Sequence, residues 1–206
     1  MRPLIAFLTF SLFIASAHAA EAPSVTIAET RISGNGCPEG TAHATLSPDN
    51  ASLSILFDEF KSTAGGTHPG RDRAKCTVRA KLAFANRYQV QVAKVDVRGF
   101  NALEESTAAR VRLRTGFEIE LFGWRIPIAQ FTSQKIFQGP TTDSFDLSSE
   151  APMPRWTPCS RNVTLIMETQ LDTVSLTGNV VETTVDSLDA VTAPMSAAIK
   201  FRKCRK

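Results

Sequence analysis

The chain has 206 residues and a formal net charge of +3 at pH 7. This length is typical of one ordinary domain with a core of its own. The signs of charge are interspersed, which argues against nucleic acid as a partner, because binding a phosphate backbone requires several basic side chains on one face. The basic tail at 200–206 is interpreted as a solubilising end, with contact to an anionic surface as the alternative.

Residues 1–19 have the pattern of a secretory signal peptide. Arg2 supplies a positive charge, Leu4–Ile14 is a nearly unbroken apolar run, and Ala17-His18-Ala19 is a small-x-small cleavage site. The apolar run is too short to span a bilayer in the ordinary way, and we expect no transmembrane segment further along. The sequence therefore predicts a single secreted domain over residues 20–206, located outside the cell or, in a Gram-negative host, in the periplasm.

The hydrophobic period of the mature chain is two almost everywhere, which is typical of β-strands. Ser52–Phe57 and Cys76–Leu82 alternate, and the two basic residues of the second segment fall on the face opposite its apolar residues. Along Tyr88–Val97 the apolar positions change from even to odd numbers. This change of face predicts a β-bulge near Ala93-Lys94.

Two further strands are predicted at Arg110–Arg114 and Phe117–Leu121, joined by a two-residue turn at Thr115-Gly116. Residues 122–158 are expected to be looser because prolines and glycines interrupt them, with short strands such as 129–137. More alternation follows residue 159. Many short strands with frequent turn signals indicate an all-β fold, an antiparallel β-sandwich of jelly-roll-like form.

An even number of cysteines in an exported chain argues for two disulfides. The four are Cys37, Cys76, Cys159 and Cys204, and the sequence allows three pairings. We favour Cys37 with Cys76 and Cys159 with Cys204, because each pair then closes one local loop, worth roughly 4 kcal/mol in the chain-entropy model. A zinc site is the competing use of four cysteines, but the chain has no C-x-x-C pair.

Six short blocks follow one another along the chain in a recognisable order. They are GCPEGT at 36–41, LSPD at 46–49, LFDEF at 56–60, KC at 75–76, VQVAKVDVRGF at 90–100 and WTPC at 156–159. In this order they resemble the signature of the domain-of-unknown-function 4360 family of secreted fungal and bacterial proteins. The resemblance covers nearly all of the mature chain. It implies an extracellular, β-rich, disulfide-bonded domain, and it implies no reaction.

Aromatic side chains and one polar stripe are the candidate binding groups. Trp124 and Trp156 are predicted to lie in exposed, irregular segments, each beside an arginine that could stack on the ring. A plug closing one end of the sandwich is the alternative role for these rings. Lys94, Asp96 and Arg98 share one face of their strand and form either a solvated face or the floor of a groove. The first functional hypothesis is a non-catalytic sandwich that binds a polysaccharide, the cell envelope or a protein through these five residues.

A small extracellular hydrolase is the second hypothesis, because glycoside hydrolysis requires only two carboxylates. The candidates are Asp58 with Glu59, and Asp96. An edge or turn position is the simpler explanation of the first two, and an ion pair with Lys94 or Arg98 is the simpler explanation of Asp96.

No metal ion or other cofactor is expected. The mature chain has two histidines, His43 in a probable strand and His68 in a glycine-rich stretch, and both are interpreted as surface or satisfied residues. Metal-binding spacings such as H-x-H or H-E-x-x-H do not occur.

Overall fold

The computed structural model describes residues 24–68, 70–185 and 195–204. Within these ranges eleven antiparallel strands and no helix are present, which confirms the predicted all-β fold. The predicted signal peptide and the start of the mature chain lie outside the described residues. The strands are β1 (Val25–Ser33), β2 (Ala42–Leu46), β3 (Ser52–Phe57), β4 (Lys61–Ala64), β5 (Arg71–Leu103), β6 (Thr107–Leu121), β7 (Trp124–Gln138), β8 (Thr141–Glu150), β9 (Ser160–Ser175), β10 (Val181–Thr184) and β11 (Met195–Lys203).

Strand β5 is 33 residues long and belongs to both layers of the sandwich. Its first part, up to Phe84, pairs with β1 on one side and β9 on the other. This layer, sheet 1, continues from β9 through β6 to the edge strand β7. The second part of β5, from Tyr88, pairs with β11 and β10 on one side and β8 on the other. This layer, sheet 2, continues to β3, β4 and β2.

The core lies between the two sheets, because alternation turns every second side chain inward. On β9, Leu165, Met167 and Leu171 are buried, and they pack in one cluster with apolar side chains of β3, β5, β6 and β11. The hydroxyl of Thr169 on β9 donates a hydrogen bond to the sulfur of Met195 on β11, at 3.3 Å. This contact joins sheet 1 to sheet 2.

The predicted bulge on β5 is confirmed. Lys94 lies opposite Ala198 and Val92 lies opposite Ile199, so that Ala93 is the extra residue. The valines on both sides of the bulge are buried. The bulge therefore restores the inward orientation of the apolar side chains after the change from even to odd positions.

The predicted turn at Thr115-Gly116 is wrong, because β6 runs through both residues. The turn between β6 and β7 is instead Phe122-Gly123, with φ values of 52° and 79°. Positive φ at both central residues is the requirement of a type I′ hairpin turn, which matches the twist of its two strands. The chain after the turn is also more regular than predicted, because β7 and β8 together cover most of residues 124–150.

Both favoured disulfides are present. Cys37 is bonded to Cys76, with their Cα atoms 5.4 Å apart, and ties the segment after β1 to β5. Cys159 is bonded to Cys204, with their Cα atoms 6.1 Å apart, and ties the start of β9 to the end of β11. The predicted β-sandwich stapled by two disulfides is therefore confirmed.

Candidate functional site

A shallow cleft of about 180 Å³ crosses the outer face of sheet 1, and we call it the outer cleft. Its lining residues come from all five strands of that sheet. Five strands spaced as in an ordinary sheet span roughly 19 Å, which suits an elongated ligand. The lining residues are Glu29, Arg31, Arg79, Lys81, Glu118, Ile119, Glu120, Arg125, Ser160, Asn162, Val163 and Thr164.

Strand register brings the central polar side chains of the outer cleft into one row. Glu29 lies opposite Lys81, Lys81 opposite Thr164, and Thr164 opposite Glu118. Alternation directs all four side chains away from the core, which buries their neighbours Leu82, Val163 and Phe117 instead. The row therefore offers hydrogen-bond donors and acceptors side by side across four strands.

Two ion pairs organise the charges of the outer cleft. Arg31 donates through Nε to the carboxylate of Glu29, two residues before it on β1. Arg79 on β5 donates through Nε to Glu118 Oε2 on β6, at 3.4 Å. The second pair reaches over β9, which lies between β5 and β6. These pairs supply cationic partners to two of the carboxylates that line the cleft.

The turn between β6 and β7 carries an exposed apolar group, Leu121, Phe122 and Trp124, which we call the hairpin tip. Phe122 is 92% exposed and Trp124 is 76% exposed. Trp124 is exposed as predicted, but it is the first residue of β7 and does not lie in an irregular segment. Arg125, its neighbour in the chain, lines the outer cleft together with Glu120, whereas Phe122 and Trp124 do not line it; the hairpin tip adjoins the cleft only along the β6–β7 hairpin.

Trp156 differs from its prediction in both exposure and partner. It is half-buried in the segment between β8 and β9, and the stacked guanidinium belongs to Arg202 of β11, at 4.7 Å from the ring centroid. Arg155, the neighbour predicted to stack, is exposed. Arg202 also donates two hydrogen bonds to Gln89 Oε1, at 2.9 and 2.7 Å. The ring is thus covered on one face.

The predicted polar stripe lies on the outer face of sheet 2, apart from the outer cleft. Lys94 Nζ is 2.9 Å from Asp96 Oδ1, as expected. Arg98 Nε is 2.9 Å from Asp146 Oδ1 on β8. The structure therefore does not bring the stripe, Trp124 and Trp156 into one site.

The candidate carboxylates of the hydrolase hypothesis are separated by strands. Asp58 and Glu59 are exposed after β3, and Glu59 Oε1 is 3.0 Å from Lys61 Nζ. Asp96 lies on β5, with β11 between that strand and β3. Its carboxylate is held by Lys94.

The two histidines of the mature chain lie apart on the surface. His43 is exposed on β2, and His68 is exposed in the turn after β4. In the described ranges no group of three or more histidine, cysteine or acidic residues is placed to hold a metal ion.

A second polar network lies on the same outer face of sheet 1, at its other end. Asp172 on β9 accepts from Arg73 Nε at 2.6 Å, from Arg110 Nη2 at 2.9 Å and from Gln170 Nε2 at 2.8 Å. Burial alone would raise the pKa of Asp172, but the hydrogen bonds from Gln170, Arg73 and Arg110, together with the positive charge of Arg110, outweigh it and hold the pKa below its ordinary value. Its oxygens are fully used, so we assign this network to stability.

Two disulfides, an antiparallel sandwich and a polar cleft on one outer face define an extracellular β-sandwich domain. The chain belongs to the family described as Domain of unknown function (DUF4360), which it matches over residues 23–204. The resemblance carried by the six sequence blocks is thereby confirmed.

A protein from Arthroderma benhamiae named "Uncharacterized secreted protein" is 25% identical to this chain over 157 residues. The match covers 75% of this chain, which spans 61% of the length of that relative. The protein is accordingly a secreted member of the family. No helix able to cross a membrane occurs in the part of the chain that the structure describes.

The chain also matches two solved structures of proteins in complex with oligosaccharides. One is TmCBM61 in complex with β-1,4-galactotriose, at 6% identity and a TM-score of 0.25, covering 86% of this chain and 90% of that one. The other is the family 11 carbohydrate-binding module from Clostridium thermocellum in complex with a β-1,3-1,4-mixed-linked tetrasaccharide, at 10% identity and a TM-score of 0.21, covering 85% and 95%. At these TM-scores neither likeness bears on function.

Sequence reasoning missed the outer cleft. The alternation of Cys76–Leu82 did place Arg79 and Lys81 on a polar face, which was the available signal. Their neighbours Glu29, Glu118 and Thr164 are distant in the chain, and only strand pairing brings them together.

Proposed function

We propose that the protein is a secreted, non-catalytic binding module for a polysaccharide, with the outer cleft and the hairpin tip as its binding surface. The observation that carries the proposal is the adjacency of these two features. A row of polar side chains crosses four strands of the cleft, and two exposed aromatic residues lie in the turn of the β6–β7 hairpin, whose Glu120 and Arg125 line the same cleft.

Sugars require this combination of groups. Their hydroxyls both donate and accept, and the outer cleft offers carboxylates, an amide, hydroxyls and cations among its lining side chains. Their apolar ring faces pack on aromatic side chains, which contribute large contact area without losing much conformational freedom. Trp124 is therefore the proposed stacking residue, and Phe122 extends the same surface.

The test is retention of the purified protein on insoluble polysaccharides and cell envelopes, measured as protein in the pellet. The double variant F122A/W124A should lose retention, because it removes both rings from an exposed turn without disturbing the core. L176A is the matched control, since Leu176 is a 78% exposed apolar residue in the turn after β9. Equal retention of the wild type and F122A/W124A would overturn the role of the hairpin tip.

The same samples separate binding from hydrolysis. Newly released reducing ends in the supernatant would contradict the non-catalytic proposal, and D58N, E59Q and D96N would then identify the carboxylates responsible. Retention of the protein in the pellet without newly released reducing ends in the supernatant supports a binding module.

The polar stripe of Lys94, Asp96 and Arg98 is proposed as a second contact surface on sheet 2. The variant K94A/D96N removes one ion pair from an exposed face. A loss of retention in this variant, with F122A/W124A unaffected, would move the binding surface from sheet 1 to sheet 2.

A further inference from the structure

We propose that the outer cleft selects an acidic polysaccharide, one that carries uronate carboxylates, and that Lys81 is the residue that recognises them. This inference rests on the proposed function and adds the chemical class of the ligand.

The charges of the outer cleft divide into paired and unpaired groups. Four cationic side chains line it, against three carboxylates. Two carboxylates are already used, Glu29 by Arg31 and Glu118 by Arg79. The groups left outside those pairs are Lys81, Arg125 and Glu120, and their sum is one positive charge.

Lys81 occupies the centre of the row. It lies on β5 between Glu29 of β1 and Thr164 of β9, and its side chain is half-buried. Among the described residues no carboxylate lies within 4.0 Å of its ammonium group. Arg125 and Glu120, by contrast, lie opposite each other at the start of β7 and the end of β6.

Lys81 lines the cleft and has no carboxylate partner among the described residues there, so an anionic group bound in the cleft would form a charge-assisted hydrogen bond with an ammonium that is not already paired. A uronate carboxylate bound in the cleft would supply that partner while the sugar hydroxyls contact Glu118, Thr164 and Asn162. A neutral sugar would cover the ammonium group of Lys81 without supplying an anionic partner for it. The cleft is thus expected to prefer the charged polymer.

The experiment measures affinity for polygalacturonate and for the same polymer with its carboxylates methyl-esterified, by calorimetry on the full mature protein. The wild type should bind polygalacturonate about tenfold more tightly than the ester, and added NaCl should remove the difference. K81Q should lose this preference while its affinity for the ester stays unchanged. K200Q is the control, because Lys200 is an exposed lysine on β11, outside the cleft.

Three outcomes would overturn the inference. If the wild type bound both polymers with equal affinity, the proposed selection of an acidic polysaccharide would be wrong, although polysaccharide binding itself would still be supported. If K81Q kept the preference for polygalacturonate over its methyl ester, Lys81 would not be the residue that recognises the carboxylates. Equal binding of polyglutamate would show attraction to charge alone. Failure of the proposed function is distinguishable from all three, since no polysaccharide in the wider panel would then retain the protein.

Discussion

The guanidinium of Arg202 covers the ring of Trp156 at 4.7 Å from its centroid, although the two residues are far apart in the chain. Arg202 is on β11, and the Cys159–Cys204 disulfide holds the end of that strand against the segment that carries Trp156. The carbonyl of Thr157 accepts from Gln89 Nε2, and Gln89 Oε1 accepts from Arg202. We call these contacts of Arg202 with Trp156 and of Gln89 with Arg202 and Thr157 the clamp. The clamp joins the segment between β8 and β9 to β5 and β11.

Removal of the clamp should lower stability. We expect R202A to decrease the free energy of unfolding by about 1 kcal/mol, because it loses a cation–π contact and two hydrogen bonds at an exposed site. Urea denaturation measures the change. R155A is the matched control, since Arg155 is exposed beside Trp156 in the chain, and its effect should stay within about 0.5 kcal/mol. A larger loss in R155A than in R202A would contradict the assignment of the stacking partner.

Asp172 should contribute stability that depends on pH. Its pKa in the folded protein is below the ordinary value, so its contribution is complete above the unfolded pKa of about 3.9 and is lost as pH falls toward the lower folded pKa. D172N should be less stable than wild type by about 1–3 kcal/mol at pH 7. The difference in the free energy of unfolding between wild type and D172N should become smaller below a pH of about 4. Denaturant titrations at several pH values measure this difference.

The control for Asp172 is D146N. Asp146 also pairs with an arginine, but its side chain is 73% exposed, so its ion pair should contribute little. If D146N and D172N gave the same pH profile, the network around Asp172 would not be the source of the effect.

The two disulfides should stabilise the fold to a similar extent. Their sequence separations are 39 and 45 residues, for which the chain-entropy model gives about 4 kcal/mol each. We expect C37S/C76S and C159S/C204S each to lose about 2–5 kcal/mol, measured by thermal and urea unfolding. If a strong reductant opened both bonds and the melting temperature of the wild type did not change, this expectation would be contradicted.

Gly99 on β5 should not tolerate a side chain. A Cβ atom at this position would lie 1.9 Å from the carbonyl oxygen of Thr184 and 2.6 Å from the Phe145 ring. We expect G99A to cost about 3 kcal/mol, because backbone on one side and a buried ring on the other prevent relaxation. G178A is the comparison, since its φ of 85° costs about 1 kcal/mol but its Cβ meets nothing within 4 Å. Equal stability of the two variants would contradict the close approach.

The pattern of apolar and polar residues along single strands was sufficient to predict much of this fold. The strand Ser52–Phe57 was predicted with its observed bounds, and the bulge at Ala93 followed from the parity of the flanking valines. Both features depend only on neighbouring residues, because side-chain direction alternates along one strand. The disulfide pairing was also predictable, since each bond closes a loop between residues moderately close in sequence.

The failures have two physical causes, one local and one long-range. Phe122 adopts positive φ, which is rare for a large side chain, so the Phe-Gly pair gave a weaker turn signal than Thr115-Gly116. The outer cleft and the partner of Trp156 depend on which strands pair and in what register. Register is decided by the packing of the whole core, and a single sequence does not display it.

The long strand β5 has a consequence for how the protein unfolds. Because one part of β5 pairs within sheet 1 and the other within sheet 2, unfolding of either sheet removes the pairing partners of a strand that both sheets share. The backbone amides of its two paired parts, on either side of the exposed residues 85–87, should therefore exchange with solvent mainly through global opening. The sandwich is expected to respond to heat or denaturant as one cooperative unit, and a fragment containing either sheet alone should not retain native structure.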